Sequence, residues 1–115
     1  MPAAAVTIIK SSPEFQRIAR QGRRWSGPAF IMQILYTTEG ETFRLGLTAS
    51  KKVGNAVIRN RAKRRLREMV RLFVKQKTLK GFDMVLIAKT AAASHDFAAM
   101  NEEFICGLGA LKVQL

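Results

Sequence analysis

The chain has 115 residues, 48% of them apolar and only three of them proline, enough for one domain with a buried core and too few for a second. Twenty Lys and Arg stand against eight Asp and Glu, a formal charge of +12 that exceeds solubility tuning and points to a polyanionic partner. A single cysteine, Cys106, and a single histidine, His95, exclude an internal disulfide and a usual zinc site, and no apolar run approaches the roughly 20 residues of a bilayer span.

Met1 to Val6 are apolar but lack the basic start and long apolar stretch of a secretory signal, so the chain reads as cytoplasmic, with residues 1–8 flexible. Ser12-Pro13-Glu14-Phe15 marks a helix start, with serine as cap and proline in the first turn, and the helix runs to Gln21 before Gly22. Arg23 to Ser26 form a short strand ahead of the Gly27-Pro28 turn. Phe30 to Thr38 and Thr42 to Ser50 are rich in β-formers, and the Glu39-Gly40-Glu41 break between them predicts an antiparallel hairpin.

From Asn55 to Lys77, Ile58, Ala62, Leu66, Met69, Val70 and Phe73 recur at the three- and four-residue spacing of one helix face. Gly81 ends that run, and Met84 to Ala88 is an unbroken apolar stretch, so Phe82 to Lys89 is expected as a central strand. Ser94 is expected to cap a last helix through Leu111, with Phe97, Met100, Phe104 and Leu108 on one stripe and Gly107 and Gly109 weakening its end. The order α-β-β-β-α-β-α gives one α+β domain over residues 1–115, a central sheet of about four strands with three helices packed on it.

The chemistry concentrates in Ser50-Lys51-Lys52-Val53-Gly54-Asn55 and the helix after it. Advancing about 100° per residue from Ile58 sets Asn60, Lys63, Arg64, Arg67 and Arg71 opposite the apolar stripe, with only Glu68 to offset the cations. Such a face repels itself, and its Arg-rich composition suits phosphate forks and base stacking, so it predicts RNA binding rather than a merely solvated surface. A nucleotide-binding loop is unsupported, because Gly54 lacks the surrounding Gly-Lys-Ser/Thr pattern. Scattered carboxylates and one histidine make a non-catalytic chain the expectation. His95 reads as a surface residue, Cys106 as packing, and Trp25 as core rather than a base-stacking platform.

Arg44-Leu45-Gly46, Ser50 to Val57 and Arg59-Asn60-Arg61-Ala62-Lys63-Arg64 together closely resemble the signature of bacterial ribonuclease P proteins. The resemblance extends through Phe15-Gln16, Gly22, Phe30 and Asp83 to Lys89, nearly the whole chain. It implies a mixed sheet with a left-handed crossover through the long basic helix, against the usual hand. It also implies that Arg59, Asn60, Arg61, Lys63, Arg64 and Arg67 face a catalytic RNA. A sheet-side cleft would hold the 5′ leader of precursor tRNA through Phe15, Ser50, Lys51 and Lys52, with Lys89 a further contributor. Ala19 and Gln33 depart from the aromatic residues relatives often carry, which implies fewer stacked leader bases. Bond breaking would fall to Mg2+ bound by the RNA, with no catalytic residue or metal site in this chain, no membrane and no obligate protein partner. Two other classes fit parts of this pattern: a ribosomal or other structural RNA-binding protein, and a free-standing protein nuclease.

Overall fold

In a computed structural model, residues 6–37 and 42–113 are described. The elements are β1 (Thr7–Ile8), α1 (Ser12–Gln21), β2 (Arg23–Ser26), β3 (Phe30–Tyr36), β4 (Phe43–Ala49), α2 (Ala56–Val74), β5 (Phe82–Ala88) and α3 (Phe97–Ala110), with 3-10 turns at Lys51–Val53 and Thr90–Ala93. The α+β class, three helices and mixed sheet follow the expectation, but the sheet has five strands, in the order β1-β4-β5-β3-β2. The additional strand is β1, which pairs in parallel with β4 and corrects the expectation that residues 1–8 are flexible at its end, Thr7 and Ile8. Residues 1–5 lie outside the described part.

The expected hairpin between β3 and β4 does not form. β5 lies between them, antiparallel to β3 and parallel to β4, so α2 carries a crossover between parallel neighbours. The physical reason lies in β5, whose residues are apolar on both sides. Met84 and Leu86 enter the main core, while Val85 joins Ile9 and Ile18 on the other face. A strand apolar on both faces loses most water when it is flanked on both edges and covered above and below. The Glu39-Gly40-Glu41 break itself lies outside the described residues.

Helix starts differ in detail. Ser11, not Ser12, takes the cap position of α1, with Pro13 in the first turn. Ser94 ends the Thr90–Ala93 turn, and the cap of α3 is Asp96, whose carboxylate accepts from the Ala99 N–H at 3.1 Å. An aspartate there also opposes the positive end of the helix dipole.

The main core lies between one face of the sheet and α2 with α3. Ala62, Leu66, Met69 and Val70 are the buried residues of α2, and Met100, Phe104 and Leu108 join Gly107 on α3. Gly107 is a packing site rather than a weakness: a Cβ there would come within 2.7 Å of the Trp25 ring and 3.0 Å of Met32 Cε. Trp25 accordingly flanks the core, as expected. Cys106 is exposed, which corrects the reading of it as packing. Because the indole is held between α3 and the sheet, Gly107→Ala is expected to cost about 1–3 kcal/mol of stability, read as a lower urea midpoint with an unchanged slope.

Candidate nucleic-acid interface

The cationic face is built by a sequence of local devices. Ser50 Oγ accepts from Lys52 N–H at 3.3 Å and opens the Lys51–Val53 turn. Gly54 then adopts φ 148°, a conformation disfavoured for side-chain-bearing residues, and Asn55 Oδ1 accepts from Ile58 N–H at 3.0 Å to begin α2. No acid occupies the first turn, so the positive helix end adds to the side-chain charge.

Asn60, Arg61, Arg64 and Arg67 are exposed, and Arg59 and Lys63 are half-buried. Among the described residues, the five cations of this group form no ion pair with any carboxylate. Arg59 Nε goes further: it is sealed from solvent with no hydrogen-bond partner. The two neighbouring arginines are different. Arg65 donates to the carbonyls of Ala92 and His95 and stands 5.9 Å from the Phe97 ring, tying α2 to the segment before α3. Arg71, expected on the free face, forks onto Glu68 at 2.7 and 2.9 Å, which lowers the Glu68 pKa and raises its own.

The opposite face of the sheet carries α1 and a groove of about 440 Å³, lined by Ser12, Phe15, Gln16, Ala19, Gln33, Leu47, Thr48, Val85 and Ile87. Gly46 makes it possible, since a Cβ there would lie 2.6 Å from Phe15 Cε1. Of the residues nominated for a leader, Phe15 lines this groove. Ser50, Lys51 and Lys52 follow its Thr48 along the chain, and Lys89 follows Ile87, so these four stand at the end of β4 and β5. Lys51 and Lys52 are exposed. Lys89 is already engaged, donating to Ser26 Oγ at 2.8 Å and the Gly27 carbonyl at 2.6 Å.

A charge network that sequence reading missed fixes α1 beside the groove. Asp83 on β5, its side chain 1% exposed, receives Arg44 Nε and Nη2 at 3.0 and 2.7 Å and has Arg17 at 3.5 Å. Arg44 also pairs with Glu14 of α1. Hydrogen bonds to Asp83 first, and Glu14 second, hold the Arg44 guanidinium above its ordinary pKa. The available signal was the alternation of Arg44, Gly46 and Thr48 on one side of β4. His95 Nε2 is paired with Glu103 Oε2 at 2.7 Å, while Glu103 Oε1 accepts the Ala29 N–H at 3.0 Å. Among the described residues no three His, Cys, Asp or Glu cluster as a metal site, and no helix is long and apolar enough to cross a membrane.

The sequence model described as Ribonuclease P matches residues 4–112. The chain belongs to the ribonuclease P protein family. The ribonuclease P protein component of Gluconacetobacter diazotrophicus is 41% identical over 92 residues, covering 80% of this chain and 79% of that protein. That of Paramagnetospirillum magneticum is 33% identical over 110 residues, covering 92% and 83%. The structure of the Staphylococcus aureus RNase P protein superposes with a TM-score of 0.77 at 31% identity, covering 95% of this chain and 98% of that one. The Thermotoga maritima RNase P protein gives 0.74 at 27% identity, covering 93% and 96%. As a ribonuclease P protein component, the chain binds RNA and supports 5′ processing of tRNA with an RNA subunit.

Proposed function

We propose that α2 docks on the RNA subunit through Arg59, Asn60, Arg61, Lys63, Arg64 and Arg67, and that the groove under α1 receives the 5′ leader of precursor tRNA. The observation that carries this reading is the group of unpaired cations on α2. Among the described residues none of them pairs with a carboxylate, while Arg44, Arg65, Arg71 and Lys89 are all engaged within the fold. Like charges gathered without counterions raise the energy of the free protein, and phosphates relieve that repulsion.

In the groove, Phe15 offers a ring face to a leader base, and Lys51 and Lys52 extend from its end toward the phosphates that follow. Ser50 acts through the turn it opens, which sets the direction of those two lysines. Lys89 contributes by holding the start of the β2–β3 turn, its ammonium reaching RNA only alongside Ser26 and Gly27.

Bond breaking is assigned to the RNA subunit, where bound Mg2+ would activate water and stabilise the leaving oxygen. Five of the eight carboxylates support that division, because Glu14, Glu68 and Asp83 hold arginine, Asp96 a helix start and Glu103 a backbone N–H. The excess positive charge and the single cysteine suit a cytoplasmic complex with RNA.

The test is reconstitution. Adding the protein to its RNA subunit at low magnesium is expected to accelerate precursor cleavage by about tenfold or more, because protein cations replace scarce metal in offsetting phosphate repulsion. Protein freed of RNA should leave the precursor intact. Absence of acceleration, or cleavage by protein alone, would each overturn the proposal.

A further inference from the structure

Val57 is 73% exposed, the most open of the large apolar residues described; the next, Tyr36, is 49% exposed. Its neighbour Ile58 tucks against the turn before α2, where a Cβ on Gly54 would come within 3.0 Å of Ile58 Cβ and Cγ2. Val57 lacks such cover. At about 100° per residue, Arg61 stands about 40° to one side of it, with Arg64 about 20° and Asn60 about 60° to the other. The buried residues of α2, Ala62, Leu66, Met69 and Val70, lie on the far side of the helix. The valine therefore sits in the middle of the face assigned to the RNA subunit, at its N-terminal end. Among the described residues neither Arg61 nor Arg64 pairs with a carboxylate.

A lone surface valine ordinarily needs no explanation, because much of any protein surface is apolar. This one stands where another cation would add to phosphate attraction, and valine is a weaker helix former than lysine or arginine. A face built for phosphates alone gains nothing from it. Docking strips water from the side chain, and that burial is favourable only against an apolar surface. RNA offers such a surface on the faces of its bases, which a continuous duplex hides by stacking and which bulges, loops and ends expose. Arg61 and Arg64, on either side, can then hold the phosphates that flank the exposed base.

We propose that Val57 packs against the face of one unstacked base of the RNA subunit, so that α2 docks on an irregular RNA element rather than along a regular duplex. The inference rests on the reading that α2 faces the RNA subunit. To that charged interface it adds a central apolar contact whose strength does not depend on counterions.

The experiment measures binding of the full chain to the RNA subunit across a salt titration. Val57→Ala is expected to weaken binding by roughly 4- to 15-fold, the equivalent of one to two buried CH2 groups. The logarithmic salt slope should not change, because no phosphate contact is lost. Thermal stability should hold, since the side chain is exposed and alanine is the better helix former. Val57→Thr, which keeps the shape and exchanges a methyl for a hydroxyl, is expected to weaken binding as well. RNA subunits carrying one abasic nucleotide at successive unpaired positions locate the base: at one position the loss of affinity seen with wild type should be largely absent with Val57→Ala. Wild-type affinity in either variant, a flattened slope, or abasic losses equal for both proteins at every position would each sink the inference. The docking reading is judged apart. It stands if charge reversal at Arg59, Arg61 and Arg64 weakens assembly, and both fail if neither that reversal nor Val57→Ala has any effect.

Discussion

Replacing Arg59, Arg61 and Arg64 together by glutamate is expected to weaken assembly with the RNA subunit by roughly 100- to 1000-fold, if each lost charged contact contributes about 1–1.5 kcal/mol. The fold should survive. Among the described residues none of the three has a carboxylate partner to lose, and removing them relieves the repulsion among the cations of α2, so thermal stability is expected to stay level or rise. A salt titration separates this loss from unfolding. Each phosphate contact adds about 0.7 to 0.9 to the logarithmic slope, so removing three should flatten it by about two or more. Weakened binding with an unaltered slope would mean that these arginines do not face phosphates, and unchanged binding would move the interface elsewhere. Arg65→Ala is the contrasting case. It should lower stability, since Arg65 holds the carbonyls of Ala92 and His95, and should alter the salt slope little.

The second large effect is expected at Asp83. Its carboxylate is buried and takes two hydrogen bonds from Arg44. Asp83→Ala is expected to cost about 2–4 kcal/mol, below the ceiling for a fully buried pair because Arg44 keeps some solvent and retains Glu14. Against a total of about 5–15 kcal/mol for a natural domain, such a loss is readily seen in urea unfolding. Since Arg44 connects Asp83 to Glu14 on α1, the same substitution should loosen α1 and reduce the affinity gained from a leader. A double-mutant cycle of Asp83→Asn with Arg44→Gln isolates the pair, and strict additivity would show that the two do not act together.

The cationic face of α2 was legible because a helix separates its residues by angle: once Ala62, Leu66, Met69 and Val70 define the inside, Arg64 and Arg67 must lie outside. The burial of β5 was legible from its continuous apolar run. Its neighbours were not. Alternation tells which side of a strand is wet, but it carries nothing about which strand lies alongside, so β3 and β4 looked like partners while β5 came between them. The roles of individual cations were hidden for a related reason. Lys89, Arg44 and Arg65 are as charged in the sequence as Arg61, and only the folded chain brings a carbonyl or carboxylate to each of the first three. The family resemblance marked Gln33 as a departure, whereas its burial on the groove lining is a property of the fold.

The position of β5 also governs when the molecule can come into being on the ribosome. Until its residues leave the exit tunnel, β1 with β4 and β3 with β2 can form only two separate pairs, each lacking the backbone hydrogen bonds that β5 supplies along one edge. The last strand to be synthesised joins them, so nascent chains halted before Phe82 should remain protease-sensitive, and those extended past Leu111 should acquire resistance in one step.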